Sequence, residues 1–127
     1  MNTERNPVGW FEIYVNDMAR AKTFYEAMLD VKLEELPSPD PGIEMWAFPM
    51  DQEKSGSCGA LAKMEGCSAG AGGTLIYFSC VDCADDEARA AAAGGRVIKS
   101  KFPIGDYGNI TILEDTEGNT IGLHSMA

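Results

Sequence analysis

The sequence predicts an α+β fold built from two tandem βαβββ modules, chiefly because one order of elements occurs twice. An alternating strand, an aspartate and a helix are repeated, and a shift of 65 residues maps Asp17 on Asp82. A segment rich in glycine and alanine, residues 65–72, lies between the copies and has the composition of a linker. The chain of 127 residues is therefore expected to form one domain of two modules, residues 7–64 and 73–126.

The first module begins with an aromatic-rich strand and a capped helix. Residues 8–16 alternate in the way typical of a strand with one buried face. Asp17 can accept hydrogen bonds from the N–H groups that the first helical turn leaves without partners. Apolar residues then recur at helical spacing along a predicted helix, Met18–Leu29. Three further strands are predicted at residues 31–36, 44–48 and 57–63.

The second module repeats this order. A strand at residues 74–80 leads to Asp82, and the alanine-rich helix 83–93 ends at Gly94 and Gly95. Three strands are then predicted at residues 96–99, 109–114 and 120–125. A module of about 55 residues buries too little surface to be stable alone. Two curved sheets packed edge to edge would form a cup, with the helices outside and a cavity inside.

The charge balance excludes several classes of partner. Twenty acidic and ten basic residues give a net charge of −10. Such a chain repels nucleic-acid phosphates and anionic lipids, which are bound through clustered lysine and arginine. No run approaches the roughly 18 apolar residues of a membrane-spanning helix, and the N-terminus has no signal-like apolar stretch. We therefore expect a cytoplasmic protein that binds neither nucleic acid nor membranes.

The four cysteines do not predict a metal or disulfide framework. Cys80 and Cys83 form a CxxC motif, whereas Cys58 and Cys67 are too far apart to make a second one. Cys80 also ends an apolar strand, where a free cysteine acts as a small hydrophobic residue. We expect ordinary reduced thiols, with a redox pair as the alternative.

Two motifs resemble a known family. Asp17, Ala21, Phe24 and Tyr25 match the V-x-D-x-x-x-A-x-x-F-Y signature of the vicinal oxygen chelate superfamily. The run of residues 115–122, DTEGNTIG, is similar to the D-P-x-G-x-x-I-E ending of that superfamily. The resemblance covers essentially the whole chain. It implies the glyoxalase/bleomycin-resistance fold, which serves several chemistries.

The resemblance also implies four metal-ligand positions inside the cup, and this chain lacks the ligands. The family's His, Gln or Glu positions fall on Trp10, Leu75 and Gly122, and on the strand at residues 57–62. An indole, an isobutyl group and a hydrogen cannot coordinate a divalent cation. We therefore expect no metal and no cofactor.

Strand alternation predicts which side chains line the cup. If Trp10 points inward, Glu12 and Tyr14 do the same, while the apolar residues between them face the helix. The same rule directs Leu75, Tyr77 and Ser79 inward from the second module, and Thr120, Gly122 and His124 inward from the last strand. The predicted cup is aromatic, with one carboxylate and one imidazole.

The candidate site residues each have a structural alternative. The candidate ligand-binding residues are Trp10, Glu12, Tyr14, Trp46, Tyr77, Asp106 and Tyr107. The aromatic residues on strands could instead be core, and the loop with Asp106 and Tyr107 is either a turn or a lid. Glu12 and His124 are the candidate catalytic residues. Glu12 could also be a structural partner, and His124 could be solvated near the C-terminus.

Three functions remain compatible with these patterns. The first is a metal-independent protein that binds a planar neutral or cationic small molecule in an aromatic cavity. The second is a glyoxalase-like lyase or isomerase that uses a relocated metal or acid–base chemistry by Glu12 and His124. The third is a structural or regulatory dimer whose cavity is filled by its own side chains. A homodimer is expected in each case.

Overall fold

Two four-stranded sheets, each with one helix, make up the fold. The computed structural model describes residues 10–37, 41–51, 53–65, 68–70, 72 and 75–127, apart from the side chain of Tyr107. The first module contains β1 (Trp10–Tyr14), α1 (Met18–Leu29), β2 (Glu34–Leu36), β3 (Ile43–Ala47) and β4 (Cys58–Met64). The second contains β5 (Ile76–Ser79), α2 (Cys83–Ala92), β6 (Arg96–Pro103), β7 (Asn109–Glu114) and β8 (Thr120–Ser125).

The two sheets have the same topology. Their strand orders are β1-β4-β3-β2 and β5-β8-β7-β6. The first strand of each module pairs in parallel with the last, and the other neighbours are antiparallel. The predicted α+β class with two βαβββ modules is confirmed. Strands β1 and β5 are edge strands of their own sheets.

Both helices begin at the predicted caps. The side chain of Asp17 accepts from the N–H of Arg20 at 3.0 Å, and Asp82 accepts from the N–H of Ala84 at 3.0 Å. The N–H of Gly95 donates to the carbonyl of Ala90 at the end of α2. Within the described residues, neither helix is long and apolar enough to cross a membrane.

Two strands differ most from their predicted bounds, and a helix contact explains the start of the first. Strand β2 begins at Glu34 rather than at residue 31, because Val31 and Leu33 donate their N–H groups to the backbone and side chain of Glu26 at the end of α1. Strand β6 extends to Pro103 rather than to residue 99, with irregular register on β7.

One aromatic cluster forms the centre of the core and joins the modules. The rings of Phe11, Tyr25 and Phe48 come from the first module, and Phe78 comes from the second. The centroid of the Phe78 ring lies 5.9 Å from the centroids of Phe11 and Tyr25, and 5.5 Å from that of Phe48. These distances suit edge-to-face and tilted ring packing. The modules therefore share a hydrophobic core.

A buried carboxylate of the second module also holds the start of α1. Glu117 accepts from the backbone N–H groups of Asn16 and Asp17 at 3.0 and 2.9 Å. It also accepts from Nε and Nη2 of Arg20 at 2.7 and 2.9 Å. Burial alone would raise the pKa of Glu117, but the bonds from Arg20 and the backbone outweigh burial and lower it to about 2.

Asp115 provides a second polar connection between the modules. The buried hydroxyl of Tyr25 donates to Asp115 at 2.6 Å, and burial and the nearby carboxylate raise the pKa of that hydroxyl. The side-chain amide of Asn119 donates to Asp115 at 2.9 Å and to the backbone carbonyl of Tyr14 at 3.0 Å. The turn at residues 115–119 is thus bound to the end of β1 and to α1.

The linker lies next to these contacts. Strand β4 ends at Met64 and β5 begins at Ile76. Of the linker residues that the structure describes, Ala69 donates its N–H to the Asn16 side chain, and Gly70 donates to the Asn119 side chain.

Candidate functional site

Strand β1 presents different side chains on its two faces. Ile13 is buried against the helices, and Phe11 joins the aromatic cluster on the same face. Trp10, Glu12 and Tyr14 lie on the opposite face, as the alternation predicted. Trp10 is 39% exposed. The face opposite the helices is thus open and aromatic on β1.

Glu12 lies between the two aromatic residues of this face and accepts a hydrogen bond from each. Nε1 of Trp10 donates to Oε2 of Glu12 at 3.1 Å. The hydroxyl of Tyr14 donates to Oε1 at 3.0 Å. Both carboxylate oxygens are therefore engaged. The Glu12 side chain is exposed.

Small residues of β4 lie beside this trio. The register places Cys58 next to Trp10, Ala60 next to Glu12 and Ala62 next to Tyr14. Ala60 and Ala62 are buried. Because these β4 side chains are small, they leave space beside the longer side chains of Trp10, Glu12 and Tyr14.

Strand β5 contributes Tyr77 and Ser79 to the corresponding face of the second sheet, and Leu75 directly precedes the strand. Tyr77 is paired with Gly122 on β8. A Cβ atom at position 122 would overlap the Tyr77 ring, so this ring lies directly on the glycine. Tyr77 is still 45% exposed, and Leu75 is 40% exposed. Gly122 is thus the residue that lets Tyr77 lie against the sheet.

A cavity of about 920 Å³ opens where the two edge strands β1 and β5 face each other. The described residues that line it are Trp10, Phe11, Glu12, Leu29, Val31, Phe48, Pro49, Ser55, Gly56, Ser57, Cys58, Gly59, Leu75, Ile76, Tyr77, Phe78, Ser79 and Asp86. Two of these are acidic, Glu12 and Asp86, and none is basic. The size is within the usual range for sites that hold a small organic molecule.

The residues of this face do not fit a divalent metal. Trp10, Leu75 and Gly122 occupy the positions where the resemblance implies ligands, and none has a donor atom that coordinates a cation. Gly122 is moreover covered by the Tyr77 ring. No group of three or more His, Cys, Asp or Glu residues with metal-binding geometry occurs in the part of the chain that the structure describes.

Trp46 lies on the other face of the first sheet, so its expected place in the cup is wrong. The register pairs Trp46 with Leu61, and Leu61 with Ile13, which faces the helices. Nζ of Lys22, on α1, lies 3.7 Å from the centroid of a Trp46 ring. Nε1 of Trp46 donates to Oε2 of Glu44 at 3.2 Å.

Of the two alternatives for the loop after β6, a turn or a lid, the structure shows a turn. Residues Gly105–Tyr107 form a short 3-10 helix, and the N–H of Ile104 donates to the carbonyl of Gly108. Gly108 packs directly on the backbone of Ser125, where a Cβ would overlap the carbonyl oxygen. Asp106 is exposed and does not line the cavity. The side chain of Tyr107 lies outside the described residues.

His124 is half-buried on β8, where the register pairs it with Ser79. Among the described residues that line the cavity between β1 and β5, and among those that line a smaller cavity which Glu12 also borders, His124 does not occur. The structure therefore brings Trp10, Glu12, Tyr14 and Tyr77 to one open face. Glu12 and His124 do not line a common cavity, so the geometry does not support their action as an acid–base pair.

The CxxC cysteines are both at least partly buried. Cys83 is fully buried on α2, and Cys80 is half-buried. Burial raises the pKa of the Cys80 thiol to about 12, with a contribution from Asp86. A thiol that stays protonated is a poor nucleophile, so this pair is unsuited to redox exchange.

Asp86 and Phe48 are cavity residues that the sequence analysis missed. Asp86 is mostly buried on α2 and accepts from Nη2 of Arg89 at 2.8 Å. The sequence signal that could have identified Asp86 was its position one helical turn before Arg89, where the two side chains can form an ion pair. Phe48 follows β3, and only the packing of the two modules brings it to the cavity.

Two paired βαβββ modules, each a four-stranded sheet with one helix, define the chain as an α+β protein of tandem modules. Over residues 8–123 the chain matches the family model of the Glyoxalase/Bleomycin resistance protein/Dioxygenase superfamily. The chain belongs to this superfamily. No curated protein matches it significantly.

Solved structures agree on the fold. Glyoxalase I from Zea mays aligns with a TM-score of 0.71 at 19% identity, over 94% of this chain and 46% of that protein. The chain thus spans about half of the maize enzyme. A glyoxalase/bleomycin resistance protein/dioxygenase family enzyme from Burkholderia phytofirmans PsJN aligns with a TM-score of 0.67 at 20% identity, over 94% of this chain and 98% of that one. A glyoxalase/bleomycin resistance protein from Albidiferax ferrireducens T118 gives 0.65 at 20% identity, with the same coverage.

Proposed function

We propose that this protein binds a planar neutral or cationic small molecule, without a metal, in the cavity between β1 and β5. One observation carries the proposal: the cavity has exposed aromatic rings and the exposed carboxylate of Glu12, and none of the described residues that line it is basic. Aromatic walls favour flat ligands, and carboxylates favour positive charge.

Electrostatics support the same ligand class. The chain has a net charge of −10, so its field attracts cations and repels anions at long range. Glu12 adds a local carboxylate at the mouth of the cavity. An anionic ligand would meet this charge without any basic side chain from the described lining. The site is thus proposed to reject anionic substrates.

The donor chemistry of the site supports metal independence. The family's ligand positions hold Trp10, Leu75 and Gly122, none of which can coordinate a divalent ion. A glyoxalase-like lyase or isomerase would need a metal site elsewhere or direct acid–base work by Glu12. Binding alone requires only the walls and charges described above. The protein is further proposed to act as a cytoplasmic homodimer that contacts neither nucleic acid nor membranes.

The proposal is tested by fluorescence titration of a Trp46→Phe variant, in which Trp10 is the remaining tryptophan. The probes are N-methylquinolinium, naphthalene and 2-naphthoate, which share a flat bicyclic ring and differ in charge. We expect saturable changes in Trp10 emission with the cation and with the neutral ring, but not with the anion. A chelator such as EDTA should change none of these results.

Native mass spectrometry of the purified protein supplies the complementary measurement. A metal-free protein that retains or takes up an aromatic adduct supports the proposal, and the same spectrum reports the subunit count. The proposal fails if no probe binds in the titration, or if binding requires one divalent ion per subunit. A Trp10→Phe variant provides the control for emission changes that arise away from the site.

A further inference from the structure

The chain contains two tryptophan–glutamate pairs with the same local geometry but opposite surroundings. Nε1 of Trp10 donates to Glu12, and Nε1 of Trp46 donates to Glu44. In each pair the residues are two apart on a strand, so both side chains lie on one face of the sheet. The two pairs can therefore be compared directly within one molecule.

The pair on the helix side already holds a cation. Nζ of Lys22 lies 3.7 Å from the centroid of a Trp46 ring, a cation–π contact next to the carboxylate of Glu44. Among the described residues, no lysine or arginine makes such a contact with Trp10, and Glu12 forms no ion pair. The pair at the cavity has the indole and the carboxylate but lacks a cation from the described chain.

The hydrogen bonds of Glu12 restrict the kind of cation that fits. One oxygen accepts from Trp10 and the other from the hydroxyl of Tyr14. A primary ammonium or a guanidinium needs acceptors for all of its N–H groups when it leaves water, and these bonds leave Glu12 only one further lone pair on each oxygen. A quaternary ammonium has no N–H group, so it needs only the negative charge and the aromatic faces.

We infer that Trp10, Glu12 and Tyr14 form a binding site for a quaternary ammonium group. This inference rests on the proposed function and assigns the charged part of the ligand to Glu12. The rest of the ligand extends into the cavity towards Tyr77, which lines the same cavity and is exposed. The ligand class is an aromatic molecule that carries an N-alkylated, permanently charged nitrogen.

The experiment compares three benzyl probes on the Trp46→Phe protein, again through the emission of Trp10. Benzyltrimethylammonium is the quaternary cation, benzylammonium is the primary cation, and neopentylbenzene is the neutral molecule of the same shape. We expect benzyltrimethylammonium to bind at least tenfold more tightly than either of the others. Glu12→Gln keeps an acceptor but removes the charge, and it should abolish this preference.

Glu44→Gln is the control for the long-range field, because it removes one negative charge from the other face of the same sheet. It should leave the preference intact. Equal affinity for neopentylbenzene, or tighter binding of benzylammonium, would overturn the inference while leaving the proposed small-molecule site standing. Equal losses in the Glu12→Gln and Glu44→Gln proteins would also overturn it, since only the long-range field would then matter. Failure of every aromatic probe to bind would overturn the proposed function itself.

Discussion

Replacing Glu117 with glutamine should remove a large part of the stability that joins the two modules. The side chain of Glu117 is 0% exposed, while its partner Arg20 is 52% exposed. Glutamine fills the same volume but has no charge. With its amide oxygen at the place of Oε1, which accepts from Asn16 and Asp17, its NH2 group faces Nε of Arg20. The substitution therefore loses charge-assisted bonds and creates a donor–donor conflict in a buried place.

The magnitude follows from the pKa of this carboxyl. Its pKa falls from 4.5 to about 2 on folding, and each unit is worth about 1.4 kcal/mol. The charged form therefore contributes about 3 kcal/mol. Because the folded pKa is the lower one, this contribution is complete above about pH 4.5 and is lost as the pH falls towards about 2. For a chain of this size, the melting temperature should drop by roughly 10 °C.

The assay is urea unfolding of the wild type and Glu117→Gln, at neutral pH and at about pH 3. The difference between the two proteins should shrink at the lower pH. Glu114→Gln is the control, because its ion pair with Arg96 spans 3.4 Å at the surface, with side chains 34% and 67% exposed. Such pairs contribute about 0–1 kcal/mol. Equal losses in both variants, or a difference that does not change with pH, would refute the reasoning.

Three further outcomes are expected. Gly122→Ala should cost about 1–3 kcal/mol in unfolding free energy, because the new methyl overlaps the Tyr77 ring; Tyr77→Ala in the same chain should reduce that cost. Tyr25→Phe leaves Asp115 without its 2.6 Å donor and should cost about 1–3 kcal/mol by thermal unfolding. Alkylation of Cys80 by iodoacetamide at about pH 8 should be much slower in the folded than in the urea-unfolded chain, as peptide mapping can measure, because burial raises its pKa to about 12.

Local signals were sufficient for most elements of the fold. Helix α1 and strands β7 and β8 lie at the predicted bounds, and Asp17 and Asp82 are the caps. Each of these depends on residues close in sequence. The predicted start of β2 was wrong, because the Glu26 side chain accepts a hydrogen bond from the N–H of Leu33. That competition depends on how the helix ends, which periodicity alone does not describe.

The site was predictable in part for the same reason. Alternation along one strand was enough to place Trp10, Glu12 and Tyr14 on one face. The face of Trp46 depends on its register against β4, which no local pattern reveals. The position of Asp106 likewise depends on how its loop packs against Ser125. Partners distant in sequence decided both of these positions.

The bonds of Glu117 have a consequence for the order in which this chain folds. The N–H groups of Asn16 and Asp17 at the start of α1 depend on a carboxylate about a hundred residues further along the chain. During synthesis, the first module therefore emerges with these donors exposed to water, and they reach Glu117 only once the last hairpin has been made. Closing so long a loop is slow compared with helix formation. The N-terminal module is thus expected to complete its structure only after Glu117 in the second module has been made, although the ribosome makes the first module earlier.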